Sequence, residues 1–442
     1  MQSLSHKIAF NTLVQIFAKI FVTAINLITT ALLTRYLGPS SFGDYLIALG
    51  FITIFNTSAD WGTTLITVRE ASQNRKQENQ IIGNSFLLRN SLALASFLIA
   101  LFVCQHTPYN QSLRVLITVA NFAILSLSLK TSFYIIFQTK LKFQNWAASE
   151  IVASIINLFL CTFFILSKFP LLYFILSIFL THTVAALFAA ILSRSLLKLN
   201  LTPNPKILKR LFKESLPMGA VLFLYSIYIT FDKFILKAVG LSAAVGIYGL
   251  AYRIRDVSIQ PAAYFMNTLL PVFSSQSKNA KSFPRFKILY QKAFDILILM
   301  GLAIFLFYFF FSSPIFLILG GSKFAPSSLA LRLISFSIFI SFLNHLTGYT
   351  LISLRQQKAV LKINIFTVFL NLILNLLLIP RFSYYAAIFN LTFTEFLNLI
   401  FTSYLIYNKT KFIPKITSFP RTAIFLFKKY SQFLKGDKKR PI

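Results

Sequence analysis

Acidic residues are scarce in this chain: 11 Asp and Glu stand against 43 Lys and Arg in 442 residues, for a formal net charge of +32. Charge of either sign is thin, at 12% of residues, whereas 56% are hydrophobic, 16% are aromatic and the mean hydropathy is +0.72. So few charged side chains do not make a water-facing surface, which excludes an ordinary soluble domain and makes the bilayer part of the solvent. Cysteine is scarcer still. Cys104 and Cys161 both lie in apolar runs, without the further cysteines or nearby histidines that a disulfide framework or a metal site needs, and read as packing residues. The basic surplus raises the question of nucleic acid. A protein that grips a phosphate backbone gathers its Lys and Arg on one soluble face, whereas here they punctuate apolar runs long enough to span a membrane, so no nucleic-acid partner is expected.

A span takes ~20 mostly apolar residues, and Gly, Pro, Asn and charge clusters mark the breaks. Twelve spans are predicted, at 8–33, 42–66, 86–105, 115–137, 148–167, 170–192, 216–236, 244–273, 293–311, 328–353, 360–379 and 383–406. The first is a retained span, because its apolar run lacks a small-residue cleavage site. Loops after odd-numbered spans hold one basic residue each, Arg35, Arg114, Lys168, Lys237, Lys323 and Arg381, and most of the remaining Lys and Arg fall on the other side. The positive-inside rule then predicts a multi-pass protein of the cell (inner) membrane with both termini cytoplasmic. The tail carries the short apolar run 423–427 among basic clusters, which reads as an interfacial segment held to anionic membrane lipid.

The chain also repeats itself. Leu37-Gly38-Pro39-Ser40-Ser41-Phe42-Gly43-Asp44-Tyr45 lies between spans one and two, and Val239-Gly240-Leu241-Ser242-Ala243-Ala244-Val245-Gly246-Ile247-Tyr248 between spans seven and eight. Two similar tight turns are one reading. A duplication of six spans is the other, and the second copy starts where that requires, just past a basic linker. The predicted organisation is an N-terminal lobe at 1–192, a cytoplasmic linker at 193–215, a C-terminal lobe at 216–407 and a basic cytoplasmic tail at 408–442, all-α, with a central cavity between the lobes.

With these residues in hand, the chain resembles the polysaccharide (O-antigen-type) flippases of the multidrug/oligosaccharidyl-lipid/polysaccharide exporter superfamily. The resemblance is carried by Thr34 to Gly43, by Ser58-Ala59-Asp60-Trp61-Gly62 with Arg69-Glu70, by Asp232-Lys233, by Val245 to Arg253, and by Asn371 to Phe382. It implies alternating access of two lobes and a polyprenyl-diphosphate-linked oligosaccharide as cargo for cell-surface polysaccharide synthesis. Glycan polymerase and glycosyltransferases are then natural partners.

Ionisable groups within spans are costly and point to cavities or partners. In span one, Asn11, Gln15, Lys19, Thr23, Asn26 and Thr30 recur at steps of three and four and share a face. Lys19 either locks helices together through a carboxylate such as Asp60 or is a cavity cation for anionic cargo. Span two places Thr53, Asn56, Asp60 and Thr64 on a stripe, and Asp60 either steadies Lys19 or serves coupling. Span eight offers Arg253, Asp256, Gln260 and Asn267 at helical spacing, Arg255 off that face, and a bend at Pro261. Arg253 and Arg255 suit bidentate phosphate binding, although an Arg253–Asp256 pair one turn apart is the structural alternative. The headgroup candidates are therefore Lys19, Arg253 and Arg255, the polar lining Asn11, Gln15, Asn26, Asn56 and Gln260, and the charge-partner or coupling candidates Asp60, Asp256 and Glu395. Amides Asn157, Asn364, Asn371 and Asn375 read as helix glue, and His182 and His345 as helix contacts.

Two other functions compete. In an ion-coupled drug or metabolite antiporter, Asp60 or Glu395 would carry the cation. A membrane enzyme such as a polymerase or ligase would need catalytic groups on a sizeable outer loop, yet 312–327 has Lys323 as its only ionisable side chain. No catalytic residue, metal or cofactor is expected.

Overall fold

The computed structural model describes residues 2–197, 199–276 and 283–416, and among them every regular element is helical. The helices are α1 Gln2–Asp60, α2 Thr63–Gln73, α3 Glu78–Gln105, α4 Gln111–Thr139, α5 Phe143–Leu166 and α6 Leu171–Ser193, then α7 Pro205–Tyr228, α8 Phe231–Ala238, α9 Ser242–Ser258, α10 Gln260–Gln276, α11 Phe283–Gly320, α12 Pro326–Ser353 and α13 Gln357–Thr410. Eight stretches among the described residues are long and apolar enough to cross a bilayer, or nine when α7 and α8, bent by 42°, count as one. Their outer faces carry large apolar side chains that water would penalise, such as Phe102 at 66% exposed, Phe159 at 69% and Leu377 at 63%. The chain is an all-α integral membrane protein.

Several predicted breaks appear as bends within longer helices. α1 covers spans one and two and turns at Gly38, whose φ of 71° suits glycine, with Pro39 next. α13 covers spans eleven and twelve and breaks at Ser383, three residues past Pro380. Span eight divides into α9 and α10 just before Pro261, where the ring removes a donor and crowds the carbonyl four residues back. The sequence reading did not anticipate the break at Trp61 and Gly62, both at positive φ, which ends α1 and starts α2. α11 runs 38 residues, about 57 Å at 1.5 Å per residue, and so overshoots a hydrocarbon core of about 30 Å.

Contacts divide the chain into two compact units, Met1–Gly246 with Ile318–Lys323, and Ile247–Leu317 with Phe324–Ile442. In the first of them α7 packs on α1, α2 and α3, and α8 on α1. One cause is local: a Cβ on Gly219 of α7 would collide with the Trp61 ring, so only glycine lets α7 come this close. Within this first unit, α4 packs on α6 and α3, and α1 on α5. Small residues line the contacts, with Ala59, Ala93, Ala100 and Ile124 forming one buried cluster. Without a hydrophobic drive between helices in lipid, close backbone approach and interhelical hydrogen bonds hold the bundle.

The repeat supplies another such approach. A Cβ on Gly43 would collide with the Ser242 carbonyl, and a Cβ on Gly246 with the Pro39 carbonyl. Pro39 stands four residues before Gly43, as Ser242 does before Gly246, so the two copies pack reciprocally. Tyr45 and Tyr248, two residues past each glycine, are buried. The Lys237 ammonium donates to Asp44 beside this contact.

In the second unit α12 packs on α10 and α13. The two halves of α13 are tied by amides, Asn390 donating to Asn375 at 2.8 Å and Asn398 to Asn364 at 2.9 Å, while Asn375 donates to Asn371 at 2.9 Å within the first half. The tail beyond Ile416, including 423–427, lies outside the described residues.

Candidate functional site: charges held inside the spans

Arg89 is the most deeply buried charge of the first unit, at 1% exposed. It projects from α3, and its guanidinium donates to the Asp60 carboxylate, to the Thr63 and Thr64 hydroxyls, to Thr131 at 2.6 Å and to Ser132 at 3.2 Å. Asp60 ends α1 directly before the Trp61–Gly62 break, so its carboxylate also accepts from the Thr64 hydroxyl at 2.7 Å and the Thr64 backbone N–H at 3.2 Å. A carboxylate at the start of α2 is favoured by that helix's dipole as well as by Arg89. The partner of Asp60 is thus Arg89, and the Lys19–Asp60 lock weighed from sequence is not formed. Lys19 is exposed, with no ion pair or hydrogen bond to its side chain among the described residues.

A second pair lies between α4 and α5. Lys130, 4% exposed, donates to Glu150 at 2.7 Å and stands 5.1 Å from the Trp146 ring centre. Deep burial with a carboxylate places Lys130 between helices. His182 Nδ1 is buried without a hydrogen-bond partner among the described residues.

The second unit has its own centre. Arg255, 4% exposed, donates to Glu395 at 2.7 Å, to Ser341 at 3.0 Å and to Ser337 at 3.1 Å, and its guanidinium carbon is 5.4 Å from the Tyr252 ring centre. Glu395 also accepts from Asn344 at 2.6 Å, and Asp256 comes to 3.6 Å of Arg255 from a half-exposed position. The Arg253–Asp256 alternative is therefore not what forms. Arg253 is half-buried, with no ion pair or hydrogen bond to its side chain among the described residues.

Of the polar-lining candidates, Gln15 and Gln260 are exposed, Asn26 and Asn56 half-buried, and the Asn11 side chain lies outside the described residues. Gln260 donates to the Asp256 carbonyl at 3.3 Å. Among the described residues no group of three or more His, Cys, Asp or Glu could hold a metal ion. Sequence reasoning missed Arg89 as a site residue. Its signal was an arginine inside a predicted span, which demands a carboxylate somewhere, but nothing in the spacing said which.

Solved structures share this arrangement of helices. The lipid II flippase MurJ in an inward closed conformation matches with a TM-score of 0.70 at 13% identity, over 98% of this chain and 94% of that one. An inward-facing multidrug resistance MATE family transporter of the MOP superfamily matches with a TM-score of 0.68 at 16% identity, over 88% and 95%. The Vibrio cholerae MATE transporter VcmN, as a mutant, follows with a TM-score of 0.60 at 15% identity, over 92% and 98%. Among curated protein sequences none matches. The fold is that of a multi-pass membrane transporter. More narrowly, the chain belongs to the polysaccharide biosynthesis protein family, whose sequence profile matches residues 8–277, more than half its length. The profile of the MatE family matches residues 217–377.

Proposed function

We propose that this protein is a flippase that moves a polyprenyl-diphosphate-linked oligosaccharide from the cytoplasmic to the outer leaflet of the cell membrane, by alternating access of two six-helix lobes. The observation that carries the reading is the family match over residues 8–277. The charge inventory supports it. Arg89, Lys130 and Arg255 each have a carboxylate, whereas Lys19 and Arg253 have none among the described residues. A cation in a span without a counter-charge is expensive, and an anionic cargo supplies what is missing. Lys19 and Arg253 hold the diphosphate in this account. Arg255 joins them only when Glu395 releases it. Asn26, Asn56, Gln15 and Gln260 offer hydrogen bonds to sugar hydroxyls, and glycosyltransferases and a polymerase act before and after the transfer.

Binding tests this directly. Purified protein titrated with a fluorescent polyprenyl-diphosphate disaccharide is expected to bind it. Lys19→Ala and Arg253→Ala each weaken binding by roughly 10- to 100-fold, the loss that follows from removing one hydrogen bond to a charged group. Equal affinity for wild type and both variants contradicts the headgroup site.

The MatE match and the MATE structures favour a second reading, an ion-coupled antiporter of small molecules. Asp60 and Glu395 are its carboxylates, each paired with an arginine that an incoming cation would displace. Proton- or sodium-driven exchange of small cations by the reconstituted protein, with no lipid movement, would establish it in place of the flippase.

A further inference from the structure

The chain does not stop at the end of α13. Lys411 takes up φ 49°, and residues 411–416 turn back as a strap across the start of α11. Gln291 of α11 fixes the strap with two hydrogen bonds, accepting from the Lys415 N–H at 2.7 Å and donating to the Lys415 carbonyl at 3.0 Å. Phe412 lies on Tyr290, with ring centres 6.2 Å apart. Beneath the strap is a cavity of about 230 Å³ bounded by α11, α12 and α13, lined among others by Phe294, Leu346, Leu399, Ile406, Tyr407 and Phe412. It exceeds the apolar cavities of ~150 Å³ that take up benzene. Most of the lining is apolar: Tyr290, Thr347, Ser403 and Tyr407 carry its side-chain hydroxyls, and that of Thr347 already bonds the Asn344 carbonyl and Thr402. The cavity calls for apolar atoms.

Its rim is cationic. The Lys411 ammonium stands 5.4 Å from the centre of the Tyr407 ring, and that of Lys287 5.9 Å from the centre of the Phe412 ring, both rings being part of the cavity wall. Arg285, Lys292, Lys409 and Lys415 lie close by in sequence. An apolar recess with an ammonium above each of two wall rings, at the end of a membrane helix, matches one molecule in its surroundings.

We propose that this recess binds an anionic phospholipid, with part of one acyl chain inside the cavity and the phosphate held between Lys287 and Lys411. The site pins the strap to α11 and α13, and so ties lipid composition to the packing of the second unit. It needs only a membrane setting and stands whether the protein moves glycolipids or small cations.

Native mass spectrometry of the full-length protein with added phosphatidylglycerol or phosphatidylcholine tests it. Wild type retains phosphatidylglycerol in preference. Lys287→Ala/Lys411→Ala lowers that preference by about 25-fold, since each juxtamembrane lysine near an anionic surface contributes on the order of fivefold. Ser403→Phe, which fills the cavity and leaves both lysines, lowers retention of both lipids. A photo-crosslinking benzoylphenylalanine at Leu399 captures phospholipid. Equal retention of the two lipids by wild type, retention unchanged in Ser403→Phe, or capture of residues 417–442 in place of lipid each overturns the proposal.

Discussion

Arg89 illustrates how charge survives inside this bundle. A guanidinium 1% exposed is tolerable because Asp60, Thr63, Thr64, Thr131 and Ser132 together satisfy it. Breaking a buried pair by removing one partner costs about 3–5 kcal/mol, whereas removing both into well-packed apolar side chains costs far less. Arg89→Leu and Asp60→Leu should each reduce folded yield and lower the melting temperature in detergent strongly, and Asp60→Leu/Arg89→Leu should recover much of the loss. If the double substitution melts as low as the sum of the two singles, the pair is not coupled. At this scale the sequence was half legible. It named Asp60, Arg255 and Glu395 as charges that need partners, but Arg255 and Glu395 are 140 residues apart, and spacing along a helix ranks only neighbours on that helix. Hence Lys19 was weighed for Asp60 and Asp256 for Arg253, while the carboxylate–arginine pairs that form, Asp60–Arg89 and Glu395–Arg255, join different helices.

Among the elements, the repeated turns have a physical reason that their sequence only hinted at. Glycine recurs at Gly43 and Gly246 because a carbonyl of the other copy occupies the space a Cβ would need. Gly43→Ala and Gly246→Ala should therefore force the helices apart, an overpacking cost of about 1–3 kcal/mol or more. Gly348 of α12 is the control, since nothing lies within 4 Å of the place its Cβ would take. Gly348→Ala in a helix interior should stabilise by up to ~1 kcal/mol. Thermal melting of the three variants decides this, and equal melting temperatures would refute the close-approach account. Bends at Gly38-Pro39, Pro261 and Pro380 were readable because proline and glycine punctuate helices. The break at Trp61 was not, because tryptophan carries no such signal, and its positive φ goes with a ring packed against Gly219 of α7.

For the whole molecule, the all-α membrane architecture follows from apolar runs alone, and the fold comparisons agree with it. Placing both termini in the cytoplasm rests on the basic residues of alternate loops. In a background with Cys104→Ala and Cys161→Ala, Ser40→Cys should react with an impermeant thiol reagent from outside intact cells, and Lys209→Cys only after lysis. The reverse pattern would invert the topology. A repeat of one short motif marks where two copies begin, not how far each extends.

Transport itself is the central claim, and it has an electrical signature. With the cytoplasm negative, each negative charge carried fully outward gains ~2.3 kcal/mol per 100 mV. The decisive measurement is translocation of a labelled polyprenyl-diphosphate oligosaccharide across proteoliposomes with an imposed potential, for wild type, Lys19→Ala and Arg253→Ala. The account predicts movement by wild type that quickens when the side corresponding to the cytoplasm is made negative, and loss of movement in both folded variants. A wild-type protein that moves no glycolipid under any potential, while exchanging small cations for protons or sodium, would contradict it.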